Sequence, residues 1–127
     1  MSNRAVISSP DAPQALGPYS QAIKVGNTVW CSGQIPLLPD TMEIVAGDIT
    51  AQATQVFKNL SAVAEAAGCS LNSAVKINIS LIDMADFAAV NEVMTAFVAE
   101  PYPARACVQV TGLPKGVAIE VEAILAI

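Results

Sequence analysis

The sequence predicts an α+β fold, one sheet with two helices packed on one of its faces. Three observations predict it. Residues 49–67 and 87–97 repeat apolar side chains at spacings of three and four, which marks two amphipathic helices. Six short runs carry the β-branched residues or the period-two alternation of strands. The elements follow one another as strand, strand, strand, helix, strand, helix, strand, strand, an order that suits a helix layer on a single sheet. No linker, low-complexity tract or internal repeat divides them, so a single domain over residues 1–127 is expected.

Taken in order, residues 4–8 and 20–25 ("SQAIKV") read as short strands separated by the turn-rich "SPDAPQALGP". Residues 28–35, "TVWCSGQI", set Val29, Cys31 and Ile35 against Thr28, Trp30, Ser32 and Gln34, as a half-buried strand does. After the loop "PLLPDTMEIVAG", Asp48 is placed to cap a helix whose stripe is Ile49, Ala53, Val56, Leu60, Val63 and Ala67, and Gly68 is placed to stop it. The strand 74–82 puts Val75, Ile77, Ile79 and Leu81 on one side. A second helix begins near Asp83, whose side chain can cap while Asp86 favours the positive N-terminus. Its stripe is Phe87, Val90, Met94 and Phe97, and Pro101 and Pro103 lie beyond its end. Strands 104–110 and 117–126, joined by "TGLPKG", complete the chain.

Hydrophobic residues make up 54% of the 127 positions and charged residues 13%, about half of the roughly 25% usual in soluble domains. A small domain has much surface to solvate, so this scarcity of charge predicts that part of one face meets other subunits. The sheet face without helices, expected to hold Trp30, Cys107 and Ile124, is the natural place for them. A net charge of −5 with no basic run offers phosphate backbones no electrostatic attraction, so no nucleic-acid partner is expected. The start "MSNRAVISSPDAPQ" lacks the apolar stretch of a secretory signal, and no apolar run nears the roughly eighteen residues of a transmembrane helix. Three cysteines (Cys31, Cys69, Cys107), an odd number without CxxC spacing, argue against a disulfide framework. The expectation is a cytoplasmic protein with reduced thiols and no membrane partner.

The stretch "YPARACVQV" at 102–110 has the small and β-branched residues of a buried strand, yet carries the permanent cation of Arg105. Alternation puts Arg105, Cys107 and Gln109 on one face of that strand, and Glu120 and Glu122 on one face of the next. If the two strands are neighbours, as their short connection suggests, Arg105 and a glutamate share a sheet face. Arginine presents a planar fork that holds a carboxylate through two parallel hydrogen bonds. The residues alone leave two roles open, a structural ion pair with Glu120 or Glu122 and an anchor for a ligand carboxylate. The absence of histidine excludes Ser-His-Asp and Cys-His arrangements and any histidine-ligated metal. The cysteines lack zinc-site spacing, and no GxGxxG or P-loop pattern supports a nucleotide cofactor. Glutamate remains as the acid/base, cysteine as a thiol, and tyrosine and serine as hydrogen-bonding groups.

Four blocks in order, "GPYSQAI" at 17–23, "SGQIP" at 32–36, "DFAAVNEV" at 86–93 and "PARACVQVTGLPKGVAIEVEA" at 103–123, resemble the RidA/YjgF reactive-intermediate deaminases, from about residue 5 to the end. The resemblance implies a chorismate-mutase-like α+β fold with a mixed sheet, assembled as a homotrimer with clefts between protomers. It implies hydrolysis of 2-aminoacrylate/2-iminopropanoate and 2-iminobutanoate to 2-oxo acids and ammonia, with neither cofactor nor metal. Carried over to this chain, Arg105 holds the substrate carboxylate, Glu120 positions or activates the attacking water, and Cys107 lies close to the reacting carbon. Tyr19, Ser32, Gly33, Phe87 and Asn91 form the rest of the cleft wall. The competing reading is a non-catalytic protein that binds or senses small carboxylates or 2-oxo acids through the same arginine. Ribonuclease activity, attached to relatives, is opposed by the acidic charge, the missing histidine and the lack of a basic patch. The chain departs from the family pattern at Met42, where a turn glycine is common, at Ala85, where asparagine is frequent, and at Met94, which replaces a frequent aromatic residue.

Overall fold

The computed structural model describes residues 3–127; Met1 and Ser2, which the expected domain includes, lie outside the described residues. Six strands form one sheet: β1 (Arg4–Ile7), β2 (Ala22–Val25), β3 (Thr28–Gln34), β4 (Ala74–Leu81), β5 (Ala104–Gln109) and β6 (Ile119–Ala126). Two helices, α1 (Ile49–Ala66) and α2 (Phe87–Phe97), fall where the apolar stripes place them. Asp48 caps α1 by accepting from the Ala51 N–H at 3.1 Å, and Gly68, at φ 86°, ends it in the left-handed conformation that glycine adopts without a side-chain clash. Asp83 caps a single 3₁₀ turn, Met84–Asp86, that leads into α2.

The strand order is β1-β2-β3-β6-β4-β5, antiparallel throughout except for the parallel pair β4–β5. A parallel neighbour needs a crossover, which α2 supplies between β4 and β5. The expected pairing of the last two strands is therefore corrected. β4 separates them, β6 fills the gap between β3 and β4, and β5 is left at the sheet edge. In the single chain β5 is largely exposed, unlike the buried strand its composition suggests.

The core lies between one sheet face and the helices. Val56, Phe57, Leu60 and Val63 of α1 and Val90 and Met94 of α2 are buried with Val29, Ile77, Ile79, Leu81, Ile119, Val121 and Leu125 of the sheet. Phe57 and Phe97 stack at 5.7 Å between ring centroids and tie the helices together. Two bulges break the alternation expected of the strands. Cys31 pairs with Ala123 and Gln34 with Val121, so Ser32 and Gly33 stand against one residue of β6. Gln34 consequently turns to the buried face instead of joining Trp30 and Ser32. In β4 the register shifts between Ala74 and Lys76, and Val75 leaves the face of Ile77 and Ile79 for solvent.

The opposite sheet face carries no helix. Trp30, 51% exposed, sits beside Ile23 and Ile124 there, with Val6 next to Ile23. Cys107 is not on that face. Its parallel pairing with Ile79 turns it to the helix side, where it packs against the core.

Candidate functional site

Arg105 is fixed by β5 and received by α2. Parallel pairing sets it beside Ile77, and so on the helix face of the sheet. Its guanidinium carbon lies 5.1 Å from the ring centroid of Phe87, a cation–π contact, and Nη1 donates to Asn91 Oδ1. Nη1 also approaches Met94 Sδ at 3.9 Å. Phe87 and Asn91 can both reach it because residues four apart share a helix face. Of the two roles left open for Arg105, the structural ion pair is not formed: among the described residues Arg105 contacts no carboxylate, and Glu120 and Glu122, paired with Ser80 and Asn78, point to the other side of the sheet. A cleft of about 440 Å³ opens beside Arg105, lined by Asn91, Met94, Thr95, Tyr102 and Pro103. Cys107 follows on the same strand face. Burial raises its thiol pKa, with the Arg105 charge pulling the other way, so the protonated thiol is favoured at neutral pH.

A second group gathers around Glu120. It shares a cleft of about 450 Å³ with Tyr19, Ser32, Gly33, Met42 and Lys115. The β3 bulge makes room for it: a Cβ on Gly33 would fall 2.7 Å from Glu120 Oε1, so only glycine lets the carboxylate lie this close to the strand. Ser32 Oγ donates to the Ser20 carbonyl at 2.6 Å, which ties the cleft wall to the turn holding Tyr19. Tyr19 N–H in turn donates to the Gly17 carbonyl at 2.9 Å, so the tyrosine closes a turn as well as lining the cleft. Burial, and then the charge of Glu122, raise the Glu120 carboxyl pKa above its ordinary value. Met42, where the family favours glycine, takes φ 63° with its side chain in place, so the turn keeps a left-handed residue at that point.

The structure thus brings the predicted residues together in two groups. Arg105, Phe87, Asn91 and Cys107 lie on the helix side of β5, and Tyr19, Ser32, Gly33 and Glu120 meet at the other cleft. Among the described residues, Arg105 and Asn91 line one cleft, and Tyr19, Ser32, Gly33 and Glu120 line another. Sequence reasoning missed Tyr102 and Thr95 at the first cleft and Lys115 at the second, although Tyr102 and Lys115 stand inside segments already singled out. Among the described residues, no three Cys, Asp or Glu side chains are grouped to hold a metal ion, and no helix is long and apolar enough to cross a membrane.

Comparison with known proteins follows this geometry. Residues 9–127 match a family model described as Endoribonuclease L-PSP. The chain is 48% identical over 127 residues to the 2-iminobutanoate/2-iminopropanoate deaminase of Dermatophagoides farinae, covering 100% of this chain and 99% of that one. It is similar to the crystal structure of RidA from the Antarctic bacterium Psychrobacter sp. PAMC 21119, with a TM-score of 0.93, 57% identity and coverage of 97% and 99%. It is similar also to Escherichia coli TdcF with bound serine, with a TM-score of 0.91, 41% identity and coverage of 97% and 98%.

Proposed function

The chain belongs to the RidA/YjgF family, and we propose that its two groups of residues meet across the protomers of a cytoplasmic homotrimer to form each active site. The reaction is the hydrolytic deamination of 2-iminopropanoate and 2-iminobutanoate, with their enamine tautomers, to 2-oxo acids and ammonia. One protomer supplies Arg105, Phe87, Asn91 and Cys107, and its neighbour supplies Tyr19, Ser32, Gly33 and Glu120.

The observation that carries this reading is the state of Arg105. It is held in place by Asn91 and Phe87 but paired with no carboxylate among the described residues. An arginine has five N–H donors, and among the described residues the contacts to Asn91 and Met94 engage Nη1 alone, so the fork can take a substrate carboxylate. With the acid end gripped, the electrophilic imine carbon is oriented for attack. Water adds to C2 as Glu120 takes one of its protons, and that proton passes to the nitrogen. The carbinolamine then collapses: its hydroxyl proton is carried by Glu120 to the amino group, the C–N bond breaks, the C=O bond forms and ammonia leaves. For the enamine, the protonated carboxyl first delivers a proton to C3. The raised pKa of Glu120 suits both roles, because a group titrating nearer the working pH serves as base and as acid. Cys107, with its thiol pKa raised by burial, forms cleft wall beside the reacting carbon.

The test generates 2-aminoacrylate with a dehydratase acting on serine and follows pyruvate release with and without the protein. Acceleration is expected. No acceleration, with pyruvate still bound at Arg105, would leave the non-catalytic carboxylate binder in its place. The family model's description names an endoribonuclease, but a net charge of −5 with no histidine gives this chain neither affinity for a phosphate backbone nor an imidazole for its cleavage.

A further inference from the structure

The cleft that holds Glu120 has walls from two segments that make no sheet pairing with each other beyond the β3 bulge. One is the chain leaving β3, residues 35–37, and the other is the turn entering β6, residues 114–118. Some backbone groups there keep backbone partners, as the Ala118 carbonyl does with the Ile82 N–H at 3.2 Å, while the Ala118 N–H and the Ile35 and Leu37 carbonyls bond to the polar edge of α1. Gln52, Gln55 and Asn59 are three and four residues apart and share a helix face. Gln52 Oε1 accepts from the Ala118 N–H at 2.9 Å, two residues before Glu120. Asn59, fully buried, donates from Nδ2 to the Leu37 carbonyl at 3.0 Å and the Ile35 carbonyl at 3.4 Å. Gln55 Nε2 donates to Asn59 Oδ1 at 2.9 Å, which fixes which end of the Asn59 amide faces the loop.

We infer that Gln52 and Asn59 are positioning residues for the deamination: side chains of α1 that set the separation of the two cleft walls and so the placement of Glu120 over Gly33. The inference rests on the proposed deaminase reading. Its force comes from the tightness of the place where the walls meet. The carboxylate lies 2.7 Å from where a Cβ on residue 33 would stand, so a small shift of the Ala118 segment moves Glu120 relative to the bulge and to the water it must activate. Misplacement of a reacting group by about 1 Å can cost roughly 10²-fold in rate. Arg105 lies on α2's side of the sheet and makes no contact with these amides, so carboxylate binding is independent of them.

Gln52 is half-buried, and its Nε2 makes no bond that Gln52→Glu would forfeit in holding Ala118. Gln52→Met matches its length without an acceptor. In the dehydratase-coupled assay, well below the melting temperature, Gln52→Met is expected to lose about 10-fold or more in turnover while inhibition by pyruvate stays within about 3-fold. Gln52→Glu is expected to restore turnover to within about 3-fold of the parent. Should Gln52→Met not fold, Gln52→Ser, too short to reach Ala118, supplies the same comparison. Full activity in the acceptor-less variant overturns the inference, as does equal impairment of Gln52→Glu and Gln52→Met. A parent protein without deaminase activity instead overturns the proposed function, so the two failures read differently.

Discussion

Two inactive variants should restore each other when they assemble together. Arg105→Ala should remove the proposed carboxylate anchor and Glu120→Gln the proposed base, so the proposed homotrimer of either variant should lose every cleft. β5 and β6 do not adjoin, and Arg105 and Glu120 project from opposite faces of the sheet, so the proposed active site takes Arg105 from one chain and Glu120 from another. In an equimolar random mixture each group comes from an intact chain with a chance of about one half, which leaves about a quarter of the clefts complete. In a purified 2:1 trimer, going round the ring, about one cleft in three is complete. The assay uses two affinity tags on co-expressed variants, tandem purification of the mixed trimers, and pyruvate release from dehydratase-generated 2-aminoacrylate. The expected rate is about a third of the parent trimer's, and about a quarter for the unfractionated mixture. Mixed trimers that carry both tags and stay inactive would show that each cleft is built within one chain, and the composite site would be abandoned.

Arg105→Lys keeps the charge but not the fork, and should lose about 1.5–3 kcal/mol of carboxylate binding, roughly 10- to 150-fold in kcat/KM; a folded lysine variant with full activity would remove Arg105 as anchor. Gly33→Ala puts a Cβ 2.7 Å from the resting position of Glu120 Oε1, and turnover should fall about 10²-fold with pyruvate inhibition unchanged. The deprotonated Glu120 is the base, so the rate should fall as pH drops through a carboxyl pKa raised above the ordinary 4.5, and Glu120→Gln should abolish that limb. Its folded pKa exceeds the unfolded one, so its contribution to stability is present below the unfolded pKa and is lost as pH rises through the folded pKa. The Tm advantage of Glu120→Gln over the parent should therefore grow with pH across that range, and a shrinking advantage contradicts the assignment. Burial raises the Cys31 thiol pKa to about 12, and alkylation of the native protein at about pH 8 should leave it unlabelled in peptide maps; labelling as fast as Cys107 would contradict this.

The chain displays its elements more openly than its neighbours in space. Asp48 and Gly68 mark the limits of α1 because capping is local chemistry, settled by the residues at the ends. Alternation assigns Ile77, Ile79 and Leu81 to the core for the same reason, but fails at Gln34 and Val75, where an extra residue in the strand reverses the faces beyond it. Pairing is non-local, and there the short 110–118 connection misleads. It suggests adjacent strands, while the α2 crossover commits β5 to β4. Period two says that Arg105 and Cys107 share a face but not which face of the sheet it is, so the arginine belongs with α2 and not with the glutamates. Asn59 could have been found earlier. It lies three residues after Val56 and one before Leu60, inside the buried arc, where a side-chain amide must have partners.

The separation of Arg105 from Glu120 has a chemical consequence of its own. A guanidinium and a carboxylate free to meet in one chain would close on each other as a two-hydrogen-bond pair, and a substrate carboxylate would have to break that pair to enter. Holding the cation on α2's side of the sheet and the acid over Gly33 prevents this closure before assembly. In the proposed trimer, the sheets of two protomers then supply the two groups separately. The same arrangement accounts for the state of Glu120: with Arg105 on the other face of the sheet, burial and then Glu122 raise its pKa, which suits a group that both takes and returns a proton in the proposed reaction. A chain that paired these groups internally would have a blocked site.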